Sequence, residues 1–267
     1  MSKKAVVTAG TAGLGYEIAR GLAGAGYAVT LVARDPARGQ EAAERLGARF
    51  VAADLSSLAE VRRLAGRLAA DGPLDLLVNN AGGMWVDRWE TTDGIEGSFA
   101  LNHLTPYMLT TTVPMADPSR IVQVTSSAMM AATPVFAEVD LPGEYYGLAV
   151  TGRAKLANLA WSLDVAGDLH RRGITLVLAD PGPAATPNAA AMAERMLPPA
   201  MRPMWSSIQE GVKRPVTEAA AAVIRAATAE AGPGTIFGPT GEPDDSLRAH
   251  VTPEITAAVR KLTAAVL

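Results

Sequence analysis

The sequence predicts one α/β domain over residues 1–267, with a doubly wound parallel sheet that carries helices on both faces. Short continuous apolar runs alternate with segments in which apolar residues recur at helical spacing. Continuous apolar runs are typical of strands that are buried on both faces, as in parallel sheets. The alternation is regular along most of the chain, which favours a single domain over two.

Six apolar runs are predicted strands, and helices separate them. The first strand is Ala5–Ala9, and Leu14, Ile18 and Leu22 mark the helix that follows it. A charged helix is predicted over Pro36–Leu46. The remaining predicted strands are Val29–Ala33, Arg49–Ala53, Leu74–Asn79, Ile121–Thr125 and Ile174–Ala179.

Two stretches interrupt this alternation. Residues 133–144 contain two prolines and several acidic residues, and we interpret them as an inserted loop. Six prolines and four methionines lie between Pro181 and Met204, and proline interrupts helices. We therefore predict an irregular substrate flap at about residues 183–212, whose flexible methionines suit an apolar ligand. A flap that packs only on its own core is the alternative.

Composition excludes several classes of protein. The net charge of −3 gives no electrostatic basis for binding nucleic acid or an anionic membrane. The chain has no cysteine, which excludes disulfides, thiol catalysis and zinc–thiolate sites, and we identify no metal site. The start, MSKKAVVTAG, lacks the apolar stretch of a signal peptide. No apolar run reaches the roughly 18 residues of a membrane span, so we expect a cytoplasmic protein.

A glycine-rich turn joins the first predicted strand to the first helix. It contains Gly10, Gly13 and Gly15, with Thr11 and Leu14 between them. Glycines let the backbone approach a pyrophosphate, and a helix N-terminus offers free N–H groups to an anion. The turn therefore predicts a dinucleotide phosphate site; a tight turn that serves packing alone is the alternative.

The end of the second strand bears on the choice of dinucleotide. An acidic side chain there binds the ribose 2′-hydroxyl of NAD, whereas a nearby arginine accommodates the 2′-phosphate of NADP. The sequence has Ala33, Arg34 and Asp35 in that region. Because a guanidinium suits phosphate, Arg34 favours NADP(H). The alternative is a solvated Arg34 paired with Asp35.

The glycine-rich turn resembles the TGxxxGxG loop of the short-chain dehydrogenase/reductase family. Gly13 and Gly15 match that pattern, whereas Ala9 occupies the place of its first glycine and Gly10 follows one place late. The resemblance implies that the turn from Ala9 to Gly15 holds the cofactor. Since the Cβ of alanine disfavours positive φ, we expect Ala9 either to weaken binding or to rearrange the turn.

Other motifs of the family follow in the same order, at the ends of predicted strands. The resemblance implies that they contact a nicotinamide dinucleotide at its adenine, ribose and nicotinamide ends. It also implies a homodimer or homotetramer. The matching cofactor residues are Asp54, Leu55, Asn80, Ala81, Gly82, Pro181, Gly182 and Thr186.

Two longer stretches narrow the resemblance. The segments AGGMWVDRWETTDGIEGSFALNHLTPYMLT and DLPGEYYGLAVTGRAKLAN resemble the retinol-dehydrogenase-like branch of the family. That branch carries an insert between its catalytic serine and tyrosine. Ser126 and Thr151 are 25 positions apart, which is consistent with such an insert.

The catalytic residues of the family are matched except for one. Its serine, which orients the substrate carbonyl, matches Ser126, with Ser127 as the neighbouring candidate. Its lysine, which lowers the pKa of a tyrosine and binds the nicotinamide ribose, matches Lys155. Asn102 matches the asparagine of its water relay. The tyrosine that exchanges the proton is replaced by Thr151, four residues before Lys155.

Thr151 does not supply the missing chemistry, because its hydroxyl does not titrate near neutral pH and is shorter than a phenol by a whole ring. A substitute donor is therefore required for carbonyl reduction. We name Tyr146 as the candidate, and a water held by Ser126 and Lys155 is another. The remaining alternatives are Tyr145, Tyr107, His103, Asp87 and Trp85.

The sequence thus indicates an NADP(H)-dependent oxidoreductase that acts on a carbonyl or alcohol of a small, fairly apolar molecule and has a non-standard proton donor. The range of the family suggests a place in specialised metabolism. Two alternatives stay open, because one fold hosts many chemistries. One is a non-redox cyclase, dehydratase or isomerase. The other is a catalytically silent protein that binds NADPH.

Overall fold

The computed structural model describes residues 2–267 and is built around a seven-stranded parallel sheet. The order of the strands is β3-β2-β1-β4-β5-β6-β7, so the order reverses between β1 and β4. This is the doubly wound, Rossmann arrangement. The strands are β1 (Lys4–Thr8), β2 (Ala28–Ala33), β3 (Arg49–Ala52), β4 (Leu74–Asn79), β5 (Met115–Val124), β6 (Ile174–Ala179) and β7 (Ile236–Phe237).

Helices cover both faces of the sheet. A π-helical turn, Ala100–Leu104, connects the fourth helix to the fifth. The α-helices are α1 (Gly13–Gly24), α2 (Pro36–Leu46), α3 (Leu58–Ala70), α4 (Gly97–Phe99), α5 (Thr105–Thr112), α6 (Gly147–His170), α7 (Pro187–Ala190), α8 (Trp205–Gly211), α9 (Val216–Thr228) and α10 (Pro253–Val266).

Two apolar cores lie on opposite faces of the sheet. Ile18 and Leu22 of α1 pack with Val223 of α9 on one face. Leu64 of α3 and Leu159 of α6 belong to the core on the other face. This two-sided burial confirms the predicted fold class and explains why the strands read as continuous apolar runs.

The structure differs most from the predicted strands at two places, whereas the bounds of β1, β2 and β3 shift by only one residue. Strand β5 begins at Met115, six residues before the predicted start, because its first half is polar and partly exposed. The two-residue strand β7 was not predicted, since an apolar pair carries no periodic signal. No helix within residues 2–267 combines the length and the hydrophobicity that crossing a membrane requires.

Helix α6 is the most deeply buried helix of the site region. All of its residues from 151 to 162 are buried, as expected for a helix that other elements surround on every side. The C-terminal helix α10 covers part of it, and an ion pair between Arg260 and Asp164 joins the two helices at 2.5 Å. The position of α6 is therefore fixed by packing rather than by a single contact.

The predicted insert, residues 133–144, forms no helix or strand. It is attached to α6 by Arg153, which is only 2% exposed. The guanidinium donates hydrogen bonds to the backbone carbonyls of Val135, at 2.6 Å, and of Glu138 and Val139. It also lies 5.0 Å from the ring centroid of Phe136. One buried arginine thus satisfies three carbonyls of a loop that has no backbone ladder of its own.

The predicted flap consists of short helical pieces, including α7 and α8, separated by proline-containing turns. Met196 and Leu197 are 1% and 0% exposed and pack with Leu148 of α6. Partly buried neighbours of this flap cluster are Met84, Val86, Ala128, Ala131, Met192, Met201, Trp205 and Ile208. The flap therefore packs on its own core and at the same time meets the start of α6 and the loop after β4.

Replacing Arg153 with methionine should destabilise the protein by about 2–4 kcal/mol, because three partly buried carbonyls lose their charged donor. Urea unfolding measures this change. The matched control is Arg171→Met at the end of the same helix, where an exposed pair with Asp168 is lost and we expect less than about 1 kcal/mol. Equal effects of the two substitutions would contradict the attachment of the insert through Arg153.

Candidate nucleotide-binding and catalytic site

A cleft of about 590 Å³ opens at the carboxyl ends of β1 and β4, where the order of the strands reverses. Ligands bind at this place in open α/β sheets. Most of the predicted cofactor residues line it; they are Ala9, Thr11, Gly13, Leu14, Gly15, Arg34, Asp54, Leu55, Asn80, Ala81, Gly82 and Thr186. The structure therefore brings together residues from five separate parts of the chain.

Four predicted cofactor residues do not line the cleft. Gly10 instead packs beneath the turn, where a Cβ would lie 2.9 Å from the carbonyl oxygen of Val7. Lys155 is separated from the cleft by the backbone of Gly82. Pro181 and Gly182 form a turn after β6, which Arg214 supports by donating a hydrogen bond of 2.6 Å to the Pro181 carbonyl.

The phosphate turn keeps the geometry of a glycine turn although it begins with alanine. Ala9 has a φ of +51°, and it is the one non-glycine residue with positive φ among residues 2–267. Gly15 has no room for a side chain, because a Cβ would lie 2.1 Å from the Ala9 carbonyl oxygen. The turn is thus strained at Ala9 rather than rearranged.

The start of α1 presents unpaired backbone N–H groups to the cleft. The helix begins at Gly13, and its N-cap residue, Ala12, has no side-chain acceptor to bind them. No acidic residue occupies the first turn. An anion in the cleft would therefore meet free donors and the positive end of the helix dipole.

Thr8 and Asn80 connect β1 to β4 at the floor of the cleft. The Thr8 hydroxyl accepts hydrogen bonds from the backbone N–H groups of Asn80 and Ala81, both at 2.9 Å. The Asn80 side-chain amide donates to the Thr8 carbonyl at 2.9 Å. These bonds fix the two loops that carry the phosphate turn and the Asn80–Gly82 segment.

Arg34 is exposed and lines the cleft. Asp35 is engaged elsewhere: its carboxylate accepts hydrogen bonds from the N–H groups of Ala37 and Arg38 at the start of α2. It also pairs with the Arg38 side chain at 3.5 Å. The pair between Arg34 and Asp35, which the sequence analysis gave as the alternative, is therefore not formed. The Arg34 side chain lines the cleft instead.

Thr151 is part of a closed network of hydroxyl and amide groups. It is 4% exposed, and its hydroxyl lies 3.0 Å from that of Ser98 and 3.4 Å from the Gly83 carbonyl oxygen. The Asn102 side chain donates to the same Gly83 carbonyl and to the Ser98 carbonyl, both at 3.0 Å. The Thr151 hydroxyl is thus committed to structural partners.

Ser126 caps the short helix that follows β5. Its hydroxyl accepts a hydrogen bond of 3.1 Å from the backbone N–H of Ala128. That short helix lies directly against α6, because a Cβ on Gly152 would come within 2.2 Å of the Ala128 carbonyl oxygen. Gly152 lies between Thr151 and Lys155, so the contact brings the segment that contains Ser126 beside both.

Lys155 is 8% exposed, and its Nζ donates a hydrogen bond of 2.7 Å to the Val124 carbonyl at the end of β5. A Cβ on Gly82 would lie 3.4 Å from this Nζ and 2.4 Å from Asn102 Oδ1. The ammonium is therefore separated from the cleft by the bare backbone of Gly82. Burial lowers the pKa of Lys155 to about 8, and Asp180 partly opposes that effect.

The tyrosines near the start of α6 are poor replacements for the missing phenol. The Tyr146 hydroxyl donates to the Glu144 carboxylate at 2.6 Å, and this bond raises the pKa of Tyr146. Burial, together with the negative charge of Glu96, raises the pKa of Tyr145. Both shifts move the phenol away from the neutral range in which an acid–base catalyst works.

The other candidate donors have partners outside the cleft. His103 is fully buried, bonds Thr263 of α10 at 2.7 Å, and has its pKa lowered to about 3 by burial. Tyr107 packs on Trp161 with ring centroids 4.8 Å apart. Asp87 pairs with Arg195 of the flap at 2.9 Å.

Trp85 alone of the alternative candidates lines the cleft, together with Trp89. The two rings are 5.4 Å apart. An indole N–H does not titrate as an acid in the neutral range. Trp85 therefore shapes the cleft but offers no replacement for the phenol.

Sequence reasoning missed Asp180, which directly precedes Pro181. It is 5% exposed, and its carboxylate accepts hydrogen bonds from the N–H groups of Ser127, at 3.0 Å, and Gly182, at 2.8 Å. It thereby connects the serine segment to the turn after β6. The available signal was a carboxylate directly after a mostly apolar buried strand, because a charge in such a place needs partners.

Comparison with known proteins identifies the class. A model of the short chain dehydrogenase family matches residues 3–196. Retinol dehydrogenase 12 of Mus musculus is 33% identical over 192 residues, 67% of this chain and 61% of that protein. Polyprenol dehydrogenase of Mus musculus is 37% identical over 196 residues, 67% of this chain and 58% of that protein.

A solved structure shares the fold. The Pseudomonas aeruginosa RhlG/NADP active-site complex superposes with a TM-score of 0.70 at 29% identity, over 90% of this chain and 95% of that chain. The protein therefore belongs to the short-chain dehydrogenase/reductase family, whose members are oxidoreductases that use NAD(P)(H). Within it the chain belongs to the retinol-dehydrogenase-like branch. It spans about three fifths of the length of those curated relatives.

Replacing Ala9 with glycine should stabilise the protein by about 0.5–1 kcal/mol. Relief of left-handed strain raises the free energy of unfolding by about 1–2 kcal/mol. The greater freedom of glycine in the unfolded chain lowers it by about 0.4–1 kcal/mol. Chemical denaturation measures the change. The control is Ala25→Gly, an exposed position with φ of −85°, which should destabilise. A loss of stability in both variants would contradict the strain at Ala9.

Proposed function

We propose that the protein is an NADP(H)-dependent oxidoreductase that reduces a carbonyl, or oxidises the corresponding alcohol, of a small, fairly apolar molecule. We propose further that a group other than a tyrosine at position 151 exchanges the proton. Two features together carry the proposal. The phosphate turn lies at the point where the order of the strands reverses. A buried threonine, Thr151, stands one helical turn before Lys155.

The cleft fits a dinucleotide. Gly15 and Gly82 line the cleft with bare backbone, because a Cβ at either position would collide with neighbouring protein atoms. The uncapped N–H groups at the start of α1 suit a pyrophosphate. The Thr11–Gly15 turn would hold the phosphates, Asp54 and Leu55 the adenine, and Lys155 the nicotinamide ribose. When bound, the nicotinamide supplies two electrons and a hydrogen to the substrate carbon. Ser126 would orient the substrate oxygen.

The exposed Arg34 supports NADP(H) over NAD(H). Its guanidinium lines the cleft at the end of β2, and no acidic side chain takes the place before it, since that residue is Ala33. A guanidinium binds phosphate with two parallel hydrogen bonds. The RhlG structure, which contains NADP, is consistent with this choice.

The flap cluster supports an apolar substrate. Met196 and Leu197 of the flap form its buried centre with Leu148. The partly buried Met84, Met192 and Met201 surround that centre, and flexible methionine side chains adapt to apolar ligands of variable shape. Two relatives have names that specify retinol and polyprenol, and both are apolar alcohols. The proposed substrate class follows from the agreement of these two observations.

The test is to incubate the purified protein with NADPH and a panel of apolar aldehydes and ketones. The absorbance of the reduced nicotinamide should fall in step with alcohol formation. Product that accumulates at constant cofactor absorbance would instead support a cyclase, dehydratase or isomerase. Tight NADPH binding without any product would support a catalytically silent nucleotide-binding protein.

Arg34→Ala should weaken NADPH binding by about tenfold or more, because a charge-assisted pair with phosphate contributes about 1.5–3 kcal/mol. NADH binding should change by less than about twofold, since it has no 2′-phosphate. Fluorescence titration measures both dissociation constants. Arg38→Ala, which removes an exposed arginine engaged with Asp35, is the control. Equal weakening of NADPH and NADH by Arg34→Ala would defeat the phosphate assignment.

A further inference from the structure

Two tryptophans of the segment after β4 present aromatic surface to the cleft. Trp85 and Trp89 both line it, with ring centroids 5.4 Å apart and ring planes tilted by 58°. Each side chain is only partly buried by the protein, so part of each indole is available to a ligand. Trp85 and Trp89 together are called the tryptophan wall below.

The side chains on either side of Trp85 point away from the cleft. Met84 and Val86 pack against the flap cluster, whereas Trp85 lines the cleft. This alternation is typical of an extended segment, in which successive side chains point to opposite sides. The flap cluster therefore holds the segment from behind and keeps the Trp85 ring on the cleft side.

Trp85 lies next to the hydrogen-bond network of Thr151. Its ring covers Gly83, where a Cβ would lie 3.2 Å from Trp85 Cη2. The carbonyl oxygen of Gly83 accepts hydrogen bonds from Asn102 at 3.0 Å and from Thr151 at 3.4 Å. Only Gly83 therefore separates this indole from the residue that stands in place of the phenol.

Trp89 reaches the same network through α4. Its ring lies against Gly97, where a Cβ would collide with the indole. Gly97 directly precedes Ser98, whose hydroxyl lies 3.0 Å from that of Thr151. Both indoles thus pack on backbone that adjoins the partners of Thr151, on the cleft side of that network.

The tryptophan wall is remote from the proposed adenine end of the cleft. Asp54 and Leu55 follow β3, whereas the wall follows β4, and the strands β2 and β1 lie between them. Adjacent strands are about 4.8 Å apart, so the ends of β3 and β4 are about 14 Å apart. Since the wall adjoins the Thr151 network instead, it belongs to the end where the nicotinamide and the substrate would meet.

The charges beside the tryptophan wall favour a neutral ligand. Asp87 is paired with Arg195 of the flap at 2.9 Å, and Glu90 is paired with Arg88 at 3.2 Å. Indole rings also attract cations, but the carboxylates that flank the two tryptophans are already engaged. The wall therefore offers flat aromatic surface without a free negative charge.

A flat aromatic ring is the neutral group that gains most from such a surface. Aromatic rings stack offset or edge-to-face, and this geometry adds attraction beyond the burial of apolar area. A carbonyl withdraws electron density from a ring that is conjugated to it, which strengthens the stacking of that ring on an electron-rich indole. A saturated ring of the same size gains from burial alone.

We propose that Trp85 and Trp89 determine the specificity of this site, and that the substrate is an aromatic aldehyde or ketone, or the corresponding alcohol, whose ring stacks on the tryptophan wall. The proposal rests on the proposed oxidoreductase function and narrows its apolar substrate to one with an aromatic ring attached to the reacting carbon. It also gives a role to indoles that line the cleft but do not act as acids.

The first test measures binding with ligands that the enzyme does not reduce. Protein saturated with NADPH is titrated with benzamide and with cyclohexanecarboxamide, which carry the same polar group on rings of similar size. Benzamide should bind about two- to tenfold more tightly, because stacking is available to it alone. Trp85→Leu should remove this difference.

NMR locates the bound ring in the same titration. The chain has four tryptophans, so ¹⁵N-labelled tryptophan gives four indole N–H signals, which single Trp→Phe variants assign. Benzamide should shift the signals of Trp85 and Trp89 and leave those of Trp161 and Trp205 in place. Equal affinity for the two amides, or no shift at either residue of the tryptophan wall, would overturn the proposal.

The second test compares the reduction of benzaldehyde and cyclohexanecarboxaldehyde by NADPH. The intrinsic reactivities of the two aldehydes cancel when the ratio of their kcat/KM values is compared between variants. Trp85→Leu and Trp89→Leu should each lower the ratio of aromatic to saturated aldehyde about two- to tenfold. Trp85→Phe, which keeps a ring, should restore most of it.

Trp205→Leu is the matched control, because Trp205 packs against the flap cluster and does not line the cleft. It should leave the ratio unchanged. A protein that binds no NADPH refutes the proposed function. NADPH-dependent reduction with the same ratio in wild type and Trp85→Leu refutes only the role of the tryptophan wall, and the amide titration decides that role even where neither aldehyde is reduced.

Discussion

The hydrogen bonds between Thr8 and Asn80 are the interaction on which the site depends. They join the ends of β1 and β4, the two strands between which the order of the sheet reverses. At such a reversal the following chain segments leave toward opposite faces, and a crevice opens between them. The Thr8 hydroxyl also accepts from Ala81, so the crevice has one defined width. The close approach of Gly15 to the Ala9 carbonyl, which a Cβ would prevent, lies beside these bonds, and the Asn80 amide donates to the same carbonyl at 3.5 Å.

The same edge of the sheet collects a serine, a buried carboxylate and a buried lysine. Ser126 follows β5 and Asp180 follows β6, while Lys155 reaches the end of β5 from α6. Buried charges in such a place require compensation. Backbone N–H groups compensate Asp180, a backbone carbonyl holds Lys155, and the two charges favour each other across the strand pair. This arrangement keeps an ionisable group beside the cleft although the residue at position 151 is a threonine.

The sequence was sufficient to predict most of the fold because apolar runs buried on both faces leave a strong pattern. The strands β4 and β6 have the predicted bounds, and α2 spans Pro36–Leu46 as predicted. The carboxyl ends of parallel strands meet at one edge, so residues at strand ends were expected to converge, and most of the predicted cofactor residues do line one cleft. Short elements such as β7 carry no such pattern.

Contacts between distant segments were not predictable from spacing. The pairing of Thr151 with Ser98 depends on how α6 is rotated against α4, and the proximity of Lys155 to Asp180 depends on the register of β5 against β6. The left-handed conformation of Ala9 was also not predicted. Alanine disfavours positive φ, so the sequence was compatible with a rearranged turn. In each case tertiary packing, rather than local preference, selects the outcome.

A crystal structure with NADPH and a bound apolar carbonyl compound tests the central claim most directly. The account predicts that the pyrophosphate lies on the Thr11–Gly15 turn and that none of the five tyrosines approaches the substrate oxygen within hydrogen-bonding distance. A tyrosine hydroxyl bound to that oxygen, or a nucleotide bound outside the cleft between β1 and β4, would contradict it.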